Sequence, residues 1–379
     1  HYLTMNKLKI QGLLALALIL ALNFSCGSSD SDDGPTTDNF DRAAMLANWA
    51  DNIIIPAYQA YSSELANLKT SATAFTTTSD QTNLEALRAS WLSAYRAWQS
   101  VSMFEIGRAE AVTLRNFTNI FPADAGEIDN SIAAGSYNLM LPSTNDEQGF
   151  PALDYLINGL GATDAAILAK YTDATNGQAH KTYLSDLVDR LQSLTSDVLN
   201  DWTSGYRDDF VNDSGSTATS SVNKMVNDAL FYYEKALRAG KVGIPAGVFS
   251  GTPISTTVEA FYKEDVSRTL LLEALNAFQD FFNGKHFNSN SSGESLKSYL
   301  DFLNTIKEGE DLSGLINGQL NTARASINGL NDSFVQQITD DNTRFLASYD
   351  ELQKNVVLLK VDMLQALNVQ VDFVDADGD

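Results

Sequence analysis

Thiol chemistry has almost nothing to work with in this chain. It carries one cysteine, Cys26, and a lone cysteine closes no disulfide within its own chain. Histidine is nearly as scarce, with three in 379 residues. None stands in an H-E-x-x-H arrangement, which excludes a zincin-type protease. G-x-S-x-G, G-x-x-x-x-G-K-S/T and G-x-G-x-x-G are missing too, and with them the usual serine-hydrolase, phosphate-cradling and dinucleotide sites. Basic residues are outnumbered, 25 against 48 acidic, for a net charge of −23. That excludes nucleic acid and anionic lipid headgroups as partners, since both are polyanions, and leaves cations or other proteins. After residue 25 no apolar run is long enough to span a bilayer.

What is present begins with a targeting segment. Met5 reads as the start: "MNKLK" is a basic n-region and "IQGLLALALILALNF" an apolar h-region, followed by Ser25 and Cys26. Residues 1–25 are therefore expected to be a secretory signal peptide. Cys26 sits where a bacterial lipoprotein signal is cut and the new N-terminal cysteine lipidated. Any membrane attachment is then expected through that lipid. Removing residues 1–25 takes Lys7 and Lys9, leaving 23 basic against 48 acidic residues and a net charge near −25. Residues 26–38, with "GSSDSDDGPTTD", form an acidic tether that buries nothing.

From Asn39 onward the apolar spacing is helical. Leu84, Leu87, Trp91, Tyr95 and Trp98 share one face, as do Leu184, Leu187, Leu191, Leu194, Val198 and Trp202. Further stripes run through Val222, Met225, Tyr233 and Leu237, and through Leu352, Val356, Leu359, Met363 and Leu367. The expectation is an all-α protein of two helical-bundle domains, with halves of similar length that leave room for a duplication. The polar stretch 206–221 reads as the linker between bundles 39–205 and 222–379. "GKVGIPAGVFSGTPIS" (240–255) reads as loop, and "VQVDFV" near the end as a short strand. "DADGD" spaces aspartates like the start of an EF-hand loop but lacks the position-12 glutamate, so a solvated end is expected. His180 is expected as a capping or surface residue and His286 as a solvated one.

Two carboxylates fall on apolar faces. In "GFPALDYLINGL" (149–160), Phe150, Leu153, Ile157 and Leu160 make the stripe, and Asp154 lies inside it. The face carrying Trp98 continues through Ser102 and Glu105. An inward carboxylate is costly unless paired. Glu105 and Asp154 can converge on one hard cation such as Ca²⁺ or iron. Equally, they can pair with Arg88, Arg96 or Arg108 as buried structural ions.

Several segments together resemble the imelysin-like family, also known as peptidase family M75, over nearly the whole mature length. They are "NIIIPAYQAY" (52–61), "WLSAYRAWQSVSMFEIGRA" (91–109), "NFTNIFPADAGEID" (116–129), "GFPALDYLINGL", "RAGKVGIPAG" (238–247) and "LNVQVDFVDADGD" (367–379). The resemblance implies two helical bundles with a ligand cleft between them. It also implies a cell-envelope protein, periplasmic or outer-membrane, linked to iron uptake; some members bind metal ions or acidic polysaccharide. "GFPALD" occupies the place of the family's G-x-H-x-x-E motif: Gly149 is kept, Pro151 replaces the histidine and Asp154 the glutamate. Ser102 and Glu105 align with an inward E-x-x-(E/R) pair. Glu105 and Asp154, with Asp124 or Asp129, are then the remaining candidates to hold a hard cation, whereas a histidine-containing transition-metal site is excluded. The implied function is a non-catalytic outer-membrane lipoprotein, facing the periplasm or the outside. It would take a metal ion or small acidic ligand and work with uptake-system proteins. A metal-dependent peptidase and a scaffold or polysaccharide-binding subunit are the alternatives.

Overall fold

Bulky apolar residues three and four apart turn most of the chain into helices that each bury one face. The structure, a computed structural model, describes residues 38–373. The expected signal segment, Cys26, the tether to residue 37 and the "DADGD" tail lie outside the described residues. Helix α1 (Arg42–Asn48) is capped by Asp41, which accepts from Ala44 N–H. It runs through a wide π-helical stretch, Trp49–Ile54, into α2 (Ile55–Thr77), with Pro56 in the first turn where a missing N–H is harmless. Helix α3 (Gln81–Gln99) buries the expected Leu84, Leu87, Trp91, Tyr95 and Trp98. A short helix α4 (Leu114–Thr118), α5 (Ala125–Ala134) and α6 (Gly149–Asp154) lead to the long α7 (Gly177–Asp201). Helix α2 packs against both α3 and α7. Burying each large side chain of this kind contributes roughly 1.5–3 kcal/mol.

The second half holds α8 (Ser221–Phe231), which continues as a π-helical segment, Tyr232–Gly243. Then come α9 (Ser267–Phe282), α10 (Leu312–Asn328) and α11 (Phe334–Val357). Helix α10 packs on α9 and α11, the π-helical segment packs on α11, and α9 also reaches α3 of the first half. Among the described residues the strands are β1 (Ile306–Lys307) and β2 (Glu310–Asp311), a two-stranded antiparallel turn. The fold is all-α. From Phe40 onward the described chain forms one compact unit with a continuous apolar core. Among the described residues no helix is long and apolar enough to cross a membrane.

Local differences from the sequence reading have physical causes. Residues 206–221 include the helix Arg207–Asn212, whose Phe210 packs edge-on against Trp202. The stretch 240–255 is helical as far as Ala246, where Gly247 ends the helix at φ of +83°; before that point Gly243 serves packing rather than turning. A Cβ on Gly243 would sit 2.7 Å from the Tyr349 ring, so glycine lets α11 come close. "VQVDFV" is not a strand through residue 373. Asn227 clamps it instead, donating to Gln370 O at 2.8 Å and accepting from Asp372 N–H at 3.1 Å, as a partner strand would. His180 is a buried residue inside α7, bonded through Nδ1 to Asn176 O and packed edge-on to Tyr171.

Candidate functional site

Two stretches of backbone, Trp98–Pro122 and Phe231–Thr257, enclose a cavity of about 330 Å³. That is roughly twice the ~150 Å³ void known to admit benzene. The first stretch is the C-terminal end of α3, the following turns and α4. The second is the end of α8 with the π-helical segment. Hydrogen bonds of i→i+5 type widen the turn, and Tyr232, Ala236, Gly240 and Lys241 of that segment all reach the cavity. Trp98, Phe121, Phe231 and Tyr232 give it aromatic walls, while Arg115, Lys235 and Lys241 supply charge. Among the described residues no carboxylate lines it.

Behind the wall lies a buried polar network. Lys241 and Glu259, 3% and 2% exposed, form an ion pair. Lys241 Nζ also donates to Gln99 Oε1 at 2.9 Å. Glu259 Oε1 accepts from Asn119 Nδ2 at 2.8 Å, and Asn119 Oδ1 accepts from the Tyr95 hydroxyl. Burial pushes the Lys241 ammonium down, with Glu259 pulling the other way. Burial also raises the Tyr95 phenol, helped by Glu259 and Asp154. An ion pair this dry is retained only when its remaining lone pairs and protons are satisfied, which Gln99 and Asn119 do. One proton of the ammonium is left over after Gln99 and Glu259 are served. Among the described residues the buried indole N–H of Trp98 has no partner, nor have those of Trp49 and Trp202.

Phe231 lines both this cavity and a second one of about 390 Å³, which Glu105, Glu110, Lys224, Asp228 and Asp372 also line, and Arg115 of the first cavity pairs with two of those carboxylates. Its guanidinium reaches Glu105 Oε2 at 2.9 Å and Asp228 Oδ1 at 3.0 Å, and donates from Nε to Ser102 O at 2.9 Å. Phe231 and Tyr232 stack over it at 5.7 and 5.6 Å. Burial raises both carboxyls, against the pull of Arg115. For Arg115, burial works downward but Asp228 and Glu105 outweigh it, and the net shift is upward.

Asp154 faces neither cavity. It lines a third, of about 140 Å³, with Pro151, Phe121, Pro122, Thr256 and Tyr262. It is 1% exposed and, among the described residues, makes no salt bridge, though the Lys263 charge and backbone act on it as minor influences. Oδ2 accepts from Tyr262 N–H and Oδ1 from Asn158 Nδ2, each at 2.9 Å. Burial lifts its pKa from 3.8 to about 7, in spite of those two bonds. Gly149 starts the same helix with φ of +77°, and a Cβ there would lie 2.2 Å from Thr118 O. Phe150 stacks flat on Tyr95 at 4.5 Å, which places Pro151 and Asp154 beside the network.

The expected convergence of Glu105 and Asp154 on one cation is thus corrected: the two line different cavities, because Glu105 turns toward Arg115 and Asp154 toward the backbone of Tyr262. The expected counter-ions are corrected as well. Arg88 pairs with Asp164, Arg96 with Glu273 and Arg108 with Asp197. Asp124 caps α5 through Glu127 N–H, and Asp129 accepts from the Tyr155 hydroxyl at 2.9 Å. Among the described residues no group of three or more His, Cys, Asp or Glu side chains is placed to hold a metal. Ser102 does reach the first cavity, its hydroxyl turned to Gln99 O at 3.4 Å. Arg115, Asn119, Asp228, Lys241 and Glu259 were missed. Lys241 and Asn119 stood within quoted segments, "RAGKVGIPAG" and "NFTNIFPADAGEID". Asp228 lies one place from the buried Ala229 in an apolar stripe, a signal like that of Asp154. Glu259 gave none.

An all-α chain with an aromatic, cation-bearing cavity between its two halves belongs to a recognisable class of helical proteins. The sequence matches the Imelysin family, peptidase M75, over residues 54–359, and the chain belongs to that family. Two solved structures share the fold. One is from Parabacteroides distasonis, named as an iron-regulated protein A precursor, at 16% identity and a TM-score of 0.70. The other is an imelysin-like protein from Psychrobacter arcticum, at 17% identity and a TM-score of 0.64. Each comparison covers 88% of this chain and 97% of the other. No curated protein shows a significant sequence match.

Proposed function

We propose that this protein is a non-catalytic ligand-binding member of the imelysin family. It would be held in the cell envelope by a lipid on Cys26 and work in an iron-linked uptake system, with the 330 Å³ cavity as its ligand site. One observation carries the reading: the cavity is built jointly by residues 98–122 and 231–257, with aromatic walls and the cationic side chains of Arg115 and Lys241 at its lining. The non-catalytic part is supported by Pro151, whose ring has no lone pair to give a metal where the family motif has histidine. Asp154, the other motif position, is engaged by Tyr262 and Asn158. The envelope location is supported by the leader-like segment before Cys26, and the iron link by the name of the Parabacteroides neighbour.

The test is native mass spectrometry of the protein recovered from its own cells grown with limiting iron. A bound small molecule is expected, and it should be missing when Ala236→Trp fills the cavity. No bound mass, or one that survives Ala236→Trp, would remove the cavity as the site. Zinc-dependent cleavage of a protein substrate, abolished in Asp154→Ala, would restore the peptidase reading.

A further inference from the structure

From the chemistry of the cavity wall, we infer that its ligand is an organic anion with a flat aromatic body, an aryl carboxylate or similar oxyanion, rather than a bare metal ion. The inference rests on the cavity being the ligand site and adds the class of ligand.

Three features point the same way. First, the charged side chains that touch the cavity are Arg115, Lys235 and Lys241, although the chain as a whole carries a charge of −23. The counter-ions of Lys241 and Arg115 are set back from this cavity: Glu259 is behind Lys241, and Glu105 and Asp228 line the neighbouring cavity. Coulomb energy falls with distance, so an anion at contact with Nζ or a guanidinium gains more than it loses to a carboxylate one group further away. Second, the acceptor atoms beside the cations are already taken: those of Gln99 and Asn119 are used by Lys241 and Tyr95, while Lys241 retains a proton beyond the two it gives to Gln99 and Glu259. A bare hard cation needs six or more oxygen ligands and would meet three positive side chains instead. Third, Trp98, Phe121, Phe231 and Tyr232 supply ring surface, and rings pack on rings in offset or edge-on contact. A ligand with a planar apolar body and one acidic end matches all three.

The experiment titrates the full mature protein with naphthalene-2-carboxylate, naphthalene-2-carboxamide and 2-naphthylmethylammonium. These have nearly the same body and carry negative, zero and positive charge. Calorimetry gives Kd, and tryptophan emission reports the site, because Trp98 is the one of the four tryptophans that lines the cavity. The carboxylate is expected to bind at least tenfold tighter than the amide, with no measurable binding of the ammonium. Emission quenching should disappear in Trp98→Phe, and binding in Ala236→Trp. Asn116→Trp, at the exposed lip, is a second blocking variant should Ala236→Trp fold poorly. Equal or tighter binding of the amide or ammonium, still lost in the blocked variants, would overturn the anion preference while leaving the cavity as the site. Carboxylate binding unchanged in both blocked variants would overturn the placement. If no probe binds at millimolar concentration while native mass spectrometry still finds a small molecule in the cavity, the aromatic-anion class is wrong and the ligand site stands.

Discussion

Replacing Lys241 by methionine keeps an unbranched side chain one atom shorter and removes its charge. Glu259, 2% exposed, would then keep only its bond from Asn119 and lose the ammonium that faces Oε2. Gln99 Oε1 would lose its donor as well. Removing one member of a buried ion pair typically costs 3–5 kcal/mol. The adjoining cavity can bring water to the orphaned carboxylate, so about 3 kcal/mol is expected here. Glu259→Gln alone strands the ammonium and should cost a similar amount. The double variant Lys241→Met/Glu259→Gln leaves no buried charge, and its cost should be only about 1–2 kcal/mol, for the amide groups left imperfectly paired. The predicted coupling is therefore roughly 4 kcal/mol in favour of the pair. Urea unfolding at pH 7 reads this directly, since a 3 kcal/mol loss moves the midpoint by about 1 M when m is near 3 kcal/mol/M. Single variants that each cost under about 1 kcal/mol, or costs that simply add in the double variant, would refute the claim that this pair is dry and mutually dependent.

Asp154→Asn tests burial through pH. The folded carboxyl holds its proton up to about pH 7, whereas the unfolded one loses it near 3.8. Its stabilising contribution is therefore complete below pH 4 and lost as pH rises toward 7, by up to ~4 kcal/mol. Asparagine has no proton to lose, so the stability gap between wild type and variant should drift with pH across that window; a constant gap would contradict the shift. Arg115→Met leaves Glu105 and Asp228 without their shared cation and should cost about 3–5 kcal/mol at pH 8. Less should be lost at pH 5, where the carboxyls can protonate; urea midpoints at the two pH values decide it. Gly149→Ala, at φ of +77° and with its Cβ 2.2 Å from Thr118 O, should lower stability by about 2–4 kcal/mol in the same assay.

The helical class was readable because Leu84 through Trp98 and Leu184 through Trp202 keep one period over several turns, and the structure buries those faces. The inward direction of Asp154 was readable by the same rule. Its partners were not: Tyr262 N–H is a backbone group more than a hundred residues away, and periodicity carries no information about such contacts. The cavity was hidden for a related reason. Lys241 sits in a glycine-rich stretch that propensity assigns to loop, yet packing against Tyr349 makes it helical. Glu105 was placed on a continuation of the Trp98 face, but that helix ends at Gln99, and of the three arginines considered none is the one that binds it, Arg115. It follows Glu105 by ten residues across a turn, where helical spacing no longer applies.

The tight seat of Gly149 against Thr118 changes how a partly matching motif should be weighed. That backbone would reject any larger residue whether histidine, proline or something else stood two places on. A surviving glycine at such a spot testifies to steric fit alone, and half of a metal signature carries no fraction of the metal's chemistry.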